Sequence, residues 1–395
     1  MKLDLLAFGV ALVLSVSGIA LIYSAVVGTP INLLYIKQSA FLLLGIGAML
    51  LFWRIPLRVH DGLAYIYYII AVLLLVLVLL QTGNVKRWLG FGGLRIQPSE
   101  FSKLAMIFVL GRWFRDHLKQ INSLKVIVGG AALVVLPFFL VVKEPDLGTG
   151  LVFWIIYFVM LLAAGIKPIV LFMILNPILA ILCAFHWLAW TLYFVLLILI
   201  IIKFRIHIKL GFIILLIAIF FGAMTPYVWS RLHPYQRERI MVFLNPKHDP
   251  FGAGYQLLQS KIAVGSGGIF GKGYLKGTQT RLQFIPARHS DFIFAVLGEQ
   301  FGFIGAIALL ILYLLLFWRA LMLTRAARTH FARMVVFAVA AVIIFQALLN
   351  ISMCIGLAPI TGIPLPFVSS GGSSLIVFWS MIGMLQNVYS QRVAQ

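Results

Sequence analysis

Long apolar runs separated by short polar breaks dominate the chain. Twelve of them reach or approach the roughly 20 residues needed to cross about 30 Å of hydrocarbon. They cover residues 4–27, 33–53, 62–81, 99–115, 125–143, 147–165, 168–185, 187–203, 210–229, 292–318, 334–356 and 372–390. The pattern predicts an all-α, polytopic membrane bundle folded as a single domain over 1–395. Its one large hydrophilic insertion is a loop at about 230–291. The run at 99–115 is short and carries Glu100 and Lys103; those at 168–185 and 187–203 are separated only by "FHW" and read as a bent pair or a hairpin. The first apolar run is too long for a signal-peptide core and is read as an uncleaved span.

Composition supports this reading. The chain is 63% hydrophobic and only 10% charged, too little charge to clothe a soluble domain. Both cysteines, Cys183 and Cys354, lie in apolar runs and read as small core residues. Basic residues in short loops set the orientation. With the N-terminus inside, the cytoplasmic loops hold Arg54 and Arg58, then Arg112, Arg115, Lys119 and Lys125, then Lys203, Arg205 and Lys209, and finally Arg319, Arg325, Arg328 and Arg333. Both termini are then cytoplasmic. The 230–291 loop, on the opposite face, carries nine Lys/Arg against three acids, an excess that needs another reason. No phosphate-binding GxxxxGK[ST] motif and no HExxH spacing occurs, and the histidines read as surface or interfacial groups.

Only ten acidic residues exist, so every candidate carboxylate base can be weighed. On this topology Glu100, Glu144, Asp146, Glu238, Asp249 and Asp291 fall at or near the outer face. In "IPARHSDFIF", Asp291 follows Arg288 and His289 at the lip of a span; it is either an N-cap for the next helix or a general base at the water–lipid boundary. Glu299, eight residues on, is a buried ionisable group that needs a partner or a polar cavity. In "NVKRWLGFGGLRIQPSEFSKL", Lys86, Arg87 and Trp88 suit either an interfacial anchor or a site, while Glu100 and Lys103, three apart on one helical face, call for a cavity. In "KEPDLGTG", Asp146 suits a cap on the following helix. The glycine-rich stretch from Lys261 to Arg288, with Lys272, Lys276 and Arg281, could present backbone N–H groups to phosphate oxygens or lie on anionic headgroups. "APITGIPLPFVSSGGSS" cannot continue a helix and reads as a broken or re-entrant segment beside a wet cavity, or as an outer loop.

Several of these stretches together resemble one family. "YQRERIMVFLNP", "DPFGAGYQLLQSKIAVGSGG", "KGTQTRLQFIPARHSDFIFAVLGEQFG", "GIPLPFVSSGGSS", "KRWLGFGGLRIQPSEFSKL" and "EPDLGTG" are similar to the SEDS proteins (shape, elongation, division and sporulation), and the "NPKHDPFGAGYQ" wording is nearer the elongation (RodA) branch than the division (FtsW) branch. The resemblance implies a peptidoglycan glycosyltransferase of the bacterial cytoplasmic membrane. Such an enzyme polymerises lipid II and works with a class B penicillin-binding protein transpeptidase and other elongation-complex membrane proteins; no nucleic-acid partner is implied. The family's essential aspartate falls on Asp291, and its polar cavity on Lys86, Arg87, Trp88, Glu100, Lys103, Asp146, Lys261 and Arg288. The chain departs from the family pattern at Ala287, at Ser370 and in region 166–230, where a probable extra helix pair joins a ten-helix core. A sugar diphosphate already carries a good leaving group, so one carboxylate base ringed by cations is the minimum set. A divalent cation such as Mg or Mn could assist the diphosphate, but the sequence names no ligand set and fixes no cofactor. The competing reading is a lipid II flippase, which would string polar groups through both leaflets. A non-catalytic scaffold would have no use for buried carboxylates.

Overall fold

The computed structural model describes residues 2–81, 87–91, 94–232, 234–245, 249, 252–282 and 284–393. The chain forms α1 (Leu5–Val26), α2 (Leu34–Arg54), α3 (Leu57–Leu79), a hairpin of β1 (Leu89–Phe91) and β2 (Leu94–Ile96), α4 (Pro98–Asp116), α5 (Leu124–Lys143) and α6 (Leu147–Ala163). Next come α7 (Pro168–Cys183), α8 (Trp187–Lys203), α9 (Ile208–Ala223), α10 (Thr225–Arg231), α11 (Pro234–Leu244), α12 (Ala253–Ser266), α13 (Thr278–Arg281), α14 (Ile293–Ala326), α15 (His330–Ile355) and α16 (Gly372–Val393). Each expected span coincides with a helix, or at 210–229 with the pair α9–α10, bent by 43°. The protein is a polytopic helical membrane protein. The expected 230–291 loop is itself partly helical, through α11, α12 and α13.

Two compact units emerge. One comprises residues 1–164 and 242–395, the other 165–241. The smaller unit is an apolar helical group whose core contains Ala180, Tyr193, Leu197, Ile214 and Ala218. Its polar stitch is Asn176, whose Nδ2 donates to Ile214 O at 2.9 Å and whose Oδ1 accepts from the Tyr193 hydroxyl. An amide buried in an apolar bundle is tolerated when its donor and acceptor are both engaged.

In the larger unit, side chains fasten helix ends together. At one end the Asp4 carboxylate caps α1 by accepting from Ala7 N at 3.3 Å and pairs with Arg319 at 2.6 Å. There Asn387 on α16 donates to the last carbonyls of α2, Phe52 O, Trp53 O and Ile55 O. These contacts occupy carbonyls that a helix end leaves without partners. His60, expected at a surface, is instead buried and stacked with the rings of Phe52 and Phe108, each 5.0 Å from it between centroids.

The opposite end is built from irregular backbone. In the glycine-rich stretch the amides of Gly267, Gly268, Gly271, Lys272 and Gly273 are taken by protein carbonyls. The stretch inserts into a break in α14 at Gly302 (φ 62°, ψ −156°). Lys272 N and Gly273 N donate to Glu299 O and Gln300 O, while Phe303 N and Ile304 N donate to Gly268 O and Ile269 O. A Cβ at Gly302 would stand 2.4 Å from Gly271 N, so only glycine permits this splice. Glu299 is fully buried beneath it. Its carboxylate accepts from Lys272 Nζ (2.9 Å), Thr278 Oγ1 (3.1 Å), Gln279 N (2.8 Å), Thr280 N (3.1 Å) and Thr280 Oγ1 (2.7 Å). Glu299 thus holds the segment leading to Asp291 rather than facing an open cavity.

Candidate functional site

The residues singled out in the sequence gather at this irregular end. Asp291 lies just outside α14. The N-cap position of that helix is Phe292. The backbone of Asp291 is fixed. Asp291 O accepts from Asn350 Nδ2 at 2.9 Å, and the same amide donates to Ile363 O at 2.8 Å, tying the foot of α14 to the irregular segment after α15. Ser369 Oγ donates to Ser290 O at 2.5 Å and Ser370 N to His289 O at 2.9 Å. Gln38 on α2 grips that segment from its other side, donating to Ser369 O and accepting from Gly371 N, both at 3.1 Å. The segment is buried at Ile360, Ile363, Leu365, Phe367 and Val368, so the broken-segment reading describes it. Ala287, one of the departures from the family pattern, has φ 50°, and its carbonyl accepts from Ser290 N and Asp291 N at 3.1 Å. This tight turn directs Asp291 out of helical register.

The partly exposed Asp291 carboxylate faces a position that lacks a side chain. A Cβ built on Gly362 (φ 72°) would be 3.6 Å from Asp291 Oδ2. Arg288 is anchored beside it, with Nε donating to Ala25 O at 2.7 Å in the last turn of α1. A guanidinium there complements the negative end of the helix. His289, partly buried and next to Arg288, has its pKa lowered by both causes, burial first. Lys261 on α12 lays its stem across Gly356, the left-handed C-cap of α15: a Cβ at Gly356 would touch Lys261 Cε at 2.0 Å. Nearby, Ser260 Oγ donates to Cys354 O at 2.7 Å, and Cys354 Sγ lies 3.6 Å from Asp291 O.

A second cluster adjoins the first through the 361–363 backbone, which a Cβ on Gly148 of α6 would meet at Thr361 O, 2.8 Å away. Asp146 caps α6, accepting from Thr149 N (3.2 Å) and Thr149 Oγ1 (2.9 Å), as its position before "LGTG" suggested. It also accepts from Gln97 Nε2 at 3.1 Å, and Gln97 N donates to Ser373 Oγ at 3.0 Å. One glutamine therefore joins the N-termini of α4, α6 and α16, whose amide ends favour negative charge. Sequence reasoning passed over Gln97; its place immediately before the Pro98 helix start was the available signal. Arg87 clamps the α5–α6 turn by donating to Glu144 O (2.8 Å) and Pro145 O. Lys103 and Glu100 are buried as a 2.7 Å ion pair, with Lys103 Nζ 5.8 Å from the Phe378 ring centre. Glu100 Oε2 and both carboxyl oxygens of Glu144 are buried with no hydrogen-bond partner among the described residues. Burial, and secondarily the Asp146 charge, push Glu144 up to about 8, against the pull of Arg87. Trp88, with Lys37, Arg95, Leu34, Phe41, Gly90 and Gly372, lines a cavity of about 540 Å³. Lys86 lies outside the described residues.

Among the described residues no three His, Cys, Asp or Glu side chains converge as metal ligands.

The family model for the FtsW/RodA/SpoVE cell cycle proteins matches residues 1–393. The peptidoglycan glycosyltransferase MrdB of Escherichia coli (strain K12) is 36% identical over 382 residues, covering 94% of this chain and 91% of that protein. The peptidoglycan glycosyltransferase RodA of Treponema pallidum (strain Nichols) is 30% identical over 426 residues, covering 99% and 98%. Among solved structures, a chain described under "Structural coordination of polymerization and crosslinking by a peptidoglycan synthase complex" superposes with a TM-score of 0.74 at 27% identity, covering 100% of both chains. The rod shape determining protein RodA of Thermus thermophilus, at 24% identity and a TM-score of 0.63 over 99% of this chain and 98% of that one, shares the fold. Motifs, fold and whole-length similarity agree that the chain belongs to the FtsW/RodA/SpoVE family, the SEDS proteins.

Proposed function

We propose that this chain is a peptidoglycan glycosyltransferase that extends glycan strands from lipid II, with Asp291 as general base. The observation that carries this reading is the placement of Asp291. Its main chain is fixed by Asn350, and its carboxylate lies beside the Gly362 backbone at an end of the bundle that also holds Lys261 and Arg288. In the reaction an acceptor sugar hydroxyl attacks the anomeric carbon of the donor. Its proton passes to the Asp291 carboxylate, the carbon–oxygen bond to the diphosphate breaks, and the prenyl diphosphate leaves as an anion. Arg288, Lys261, Arg87 and the joined N-termini of α4, α6 and α16 support the charge that develops there. Lys103 is occupied by Glu100 and serves to shape the wall. His289, neutral at neutral pH, adds no cation.

In this reading the irregular end faces outward from the bacterial cytoplasmic membrane and both termini face the cytoplasm, in keeping with the basic short loops. The partner is a class B penicillin-binding protein transpeptidase, a reading supported by the synthase-complex chain that this protein resembles. A base in this position is worth about 10²–10⁴ in rate. Purified protein with its transpeptidase, supplied with lipid II, should form glycan polymer. Liposomes carrying labelled lipid II separate this activity from translocation without polymer, the result that would reverse the assignment.

A further inference from the structure

A second cavity, remote from Asp291, lies among α2, α3 and α4. It encloses about 380 Å³ and is walled by Leu51, Phe52, Ile70, Leu74, Phe101 and Leu104, among others. Its wall is apolar except for two groups, the His60 imidazole and the Tyr67 hydroxyl, which are hydrogen-bonded at 3.2 Å through His60 Nδ1. His60 is 1% exposed, and its Nε2 has no partner among the described residues. Phe52 and Phe108 both lie nearly parallel to the ring, at interplanar angles of 10° and 2° and 5.0 Å between centroids, and resist its rotation. Native interiors seldom leave such an atom unpaired. Water is a poor solution, since a buried water needs two to four polar partners and this wall provides hardly any. Two wall residues, Leu51 and Ile70, are 56% and 49% exposed on the outside of the bundle, so the cavity opens where lipid chains lie.

We propose that this cavity binds a membrane lipid alcohol: an apolar chain fills the space, and a free hydroxyl bonds to His60 Nε2. The proposal takes the tautomer in which Nδ1–H donates to the Tyr67 hydroxyl, which leaves Nε2 to accept the O–H of the alcohol. The chemistry matches a diacylglycerol or a prenol more closely than a charged headgroup, because no Lys or Arg lines the wall. The proposal is independent of the role of Asp291.

The test uses the purified full-length protein and two probes, 1,2-dioctanoylglycerol and its O-methyl ether, which keeps the chains but cannot donate a hydrogen bond. Native mass spectrometry reads the complexes. A donor bond to Nε2 predicts one molecule bound with about fivefold preference for the alcohol, corresponding to a net hydrogen bond of about 1 kcal/mol. His60→Phe preserves the aromatic stack and should erase the preference, and Leu74→Trp should fill the cavity and weaken both probes. ¹⁵N chemical shifts of the His60 ring should move with the alcohol and not with the ether. Equal binding of the two probes to the native protein, or a preference that survives in His60→Phe, overturns the proposal; so does the absence of a saturable one-to-one complex.

Discussion

Glu299→Ala gives the sharpest structural prediction. The native carboxylate is fully buried and accepts five hydrogen bonds, all from the 272–280 segment. Truncation strands Thr280 N and Thr280 Oγ1 in a buried setting and Gln279 N in a partly buried one, while Lys272, at 26% side-chain exposure, can turn to water. A donor stranded in the interior costs about 1–3 kcal/mol, so three of them, with the low end taken for Gln279 N, sum to about 3–7 kcal/mol. Glu299→Gln should lose about half as much, because the amide keeps one acceptor but turns an NH₂ toward groups that are themselves donors. Thermal unfolding in detergent should rank native, Gln and Ala in that order. Hydrogen exchange should show lost protection concentrated in 272–281, and glycan synthesis should fall in the same order because this segment leads directly to Asp291. An Ala variant with native melting and native protection would refute the assignment of Glu299 as the pin of this loop.

Other substitutions probe neighbouring claims. Gly302→Ala should abolish the α14 splice, since its φ of 62° and the 2.4 Å approach to Gly271 N leave no room; failure to accumulate in membranes checks this, and a well-folded variant would contradict it. Asn350→Leu preserves bulk but removes the bonds to Asp291 O and Ile363 O, and should lower polymerisation by at least tenfold with lipid II binding retained, read by comparing polymer yield with binding. Glu144 holds its proton more tightly when folded, with a pKa raised from 4.5 to about 8. Its contribution to stability is therefore complete below about pH 4.5 and declines as pH rises toward 8; Glu144→Gln should flatten that part of a melting-temperature profile.

Much of the fold was legible because lipid imposes a simple rule: a helix satisfies its own backbone, so apolar runs of sufficient length become helices. Residues 4–27 and 334–356 illustrate this, becoming α1 and α15 with little change at their ends. The candidate residues drew attention because their charge stands in a greasy context, as at Lys103, Glu100 and Asp291, the last of which suited a helix cap equally well. What escaped notice depended on non-local partners. The glycines at 267–273 look the same in sequence whether they cradle phosphate or splice a helix, and only the break at Gly302, some 30 residues later, decides between them. Gln97 and Gln38 are ordinary polar residues until the fold brings Ser373, Asp146 and Ser369 to them. His60 was misjudged because no local pattern reveals the two phenylalanine rings that stack against it.

The account rests most directly on the Asp291 side chain. Asp291→Asn retains size and the main-chain bond from Asn350 but removes the base. Purified with its transpeptidase and given lipid II, this variant should bind substrate as the native protein does and make glycan at a rate lower by about 10²–10⁴. Polymerisation within a few-fold of native would contradict the account.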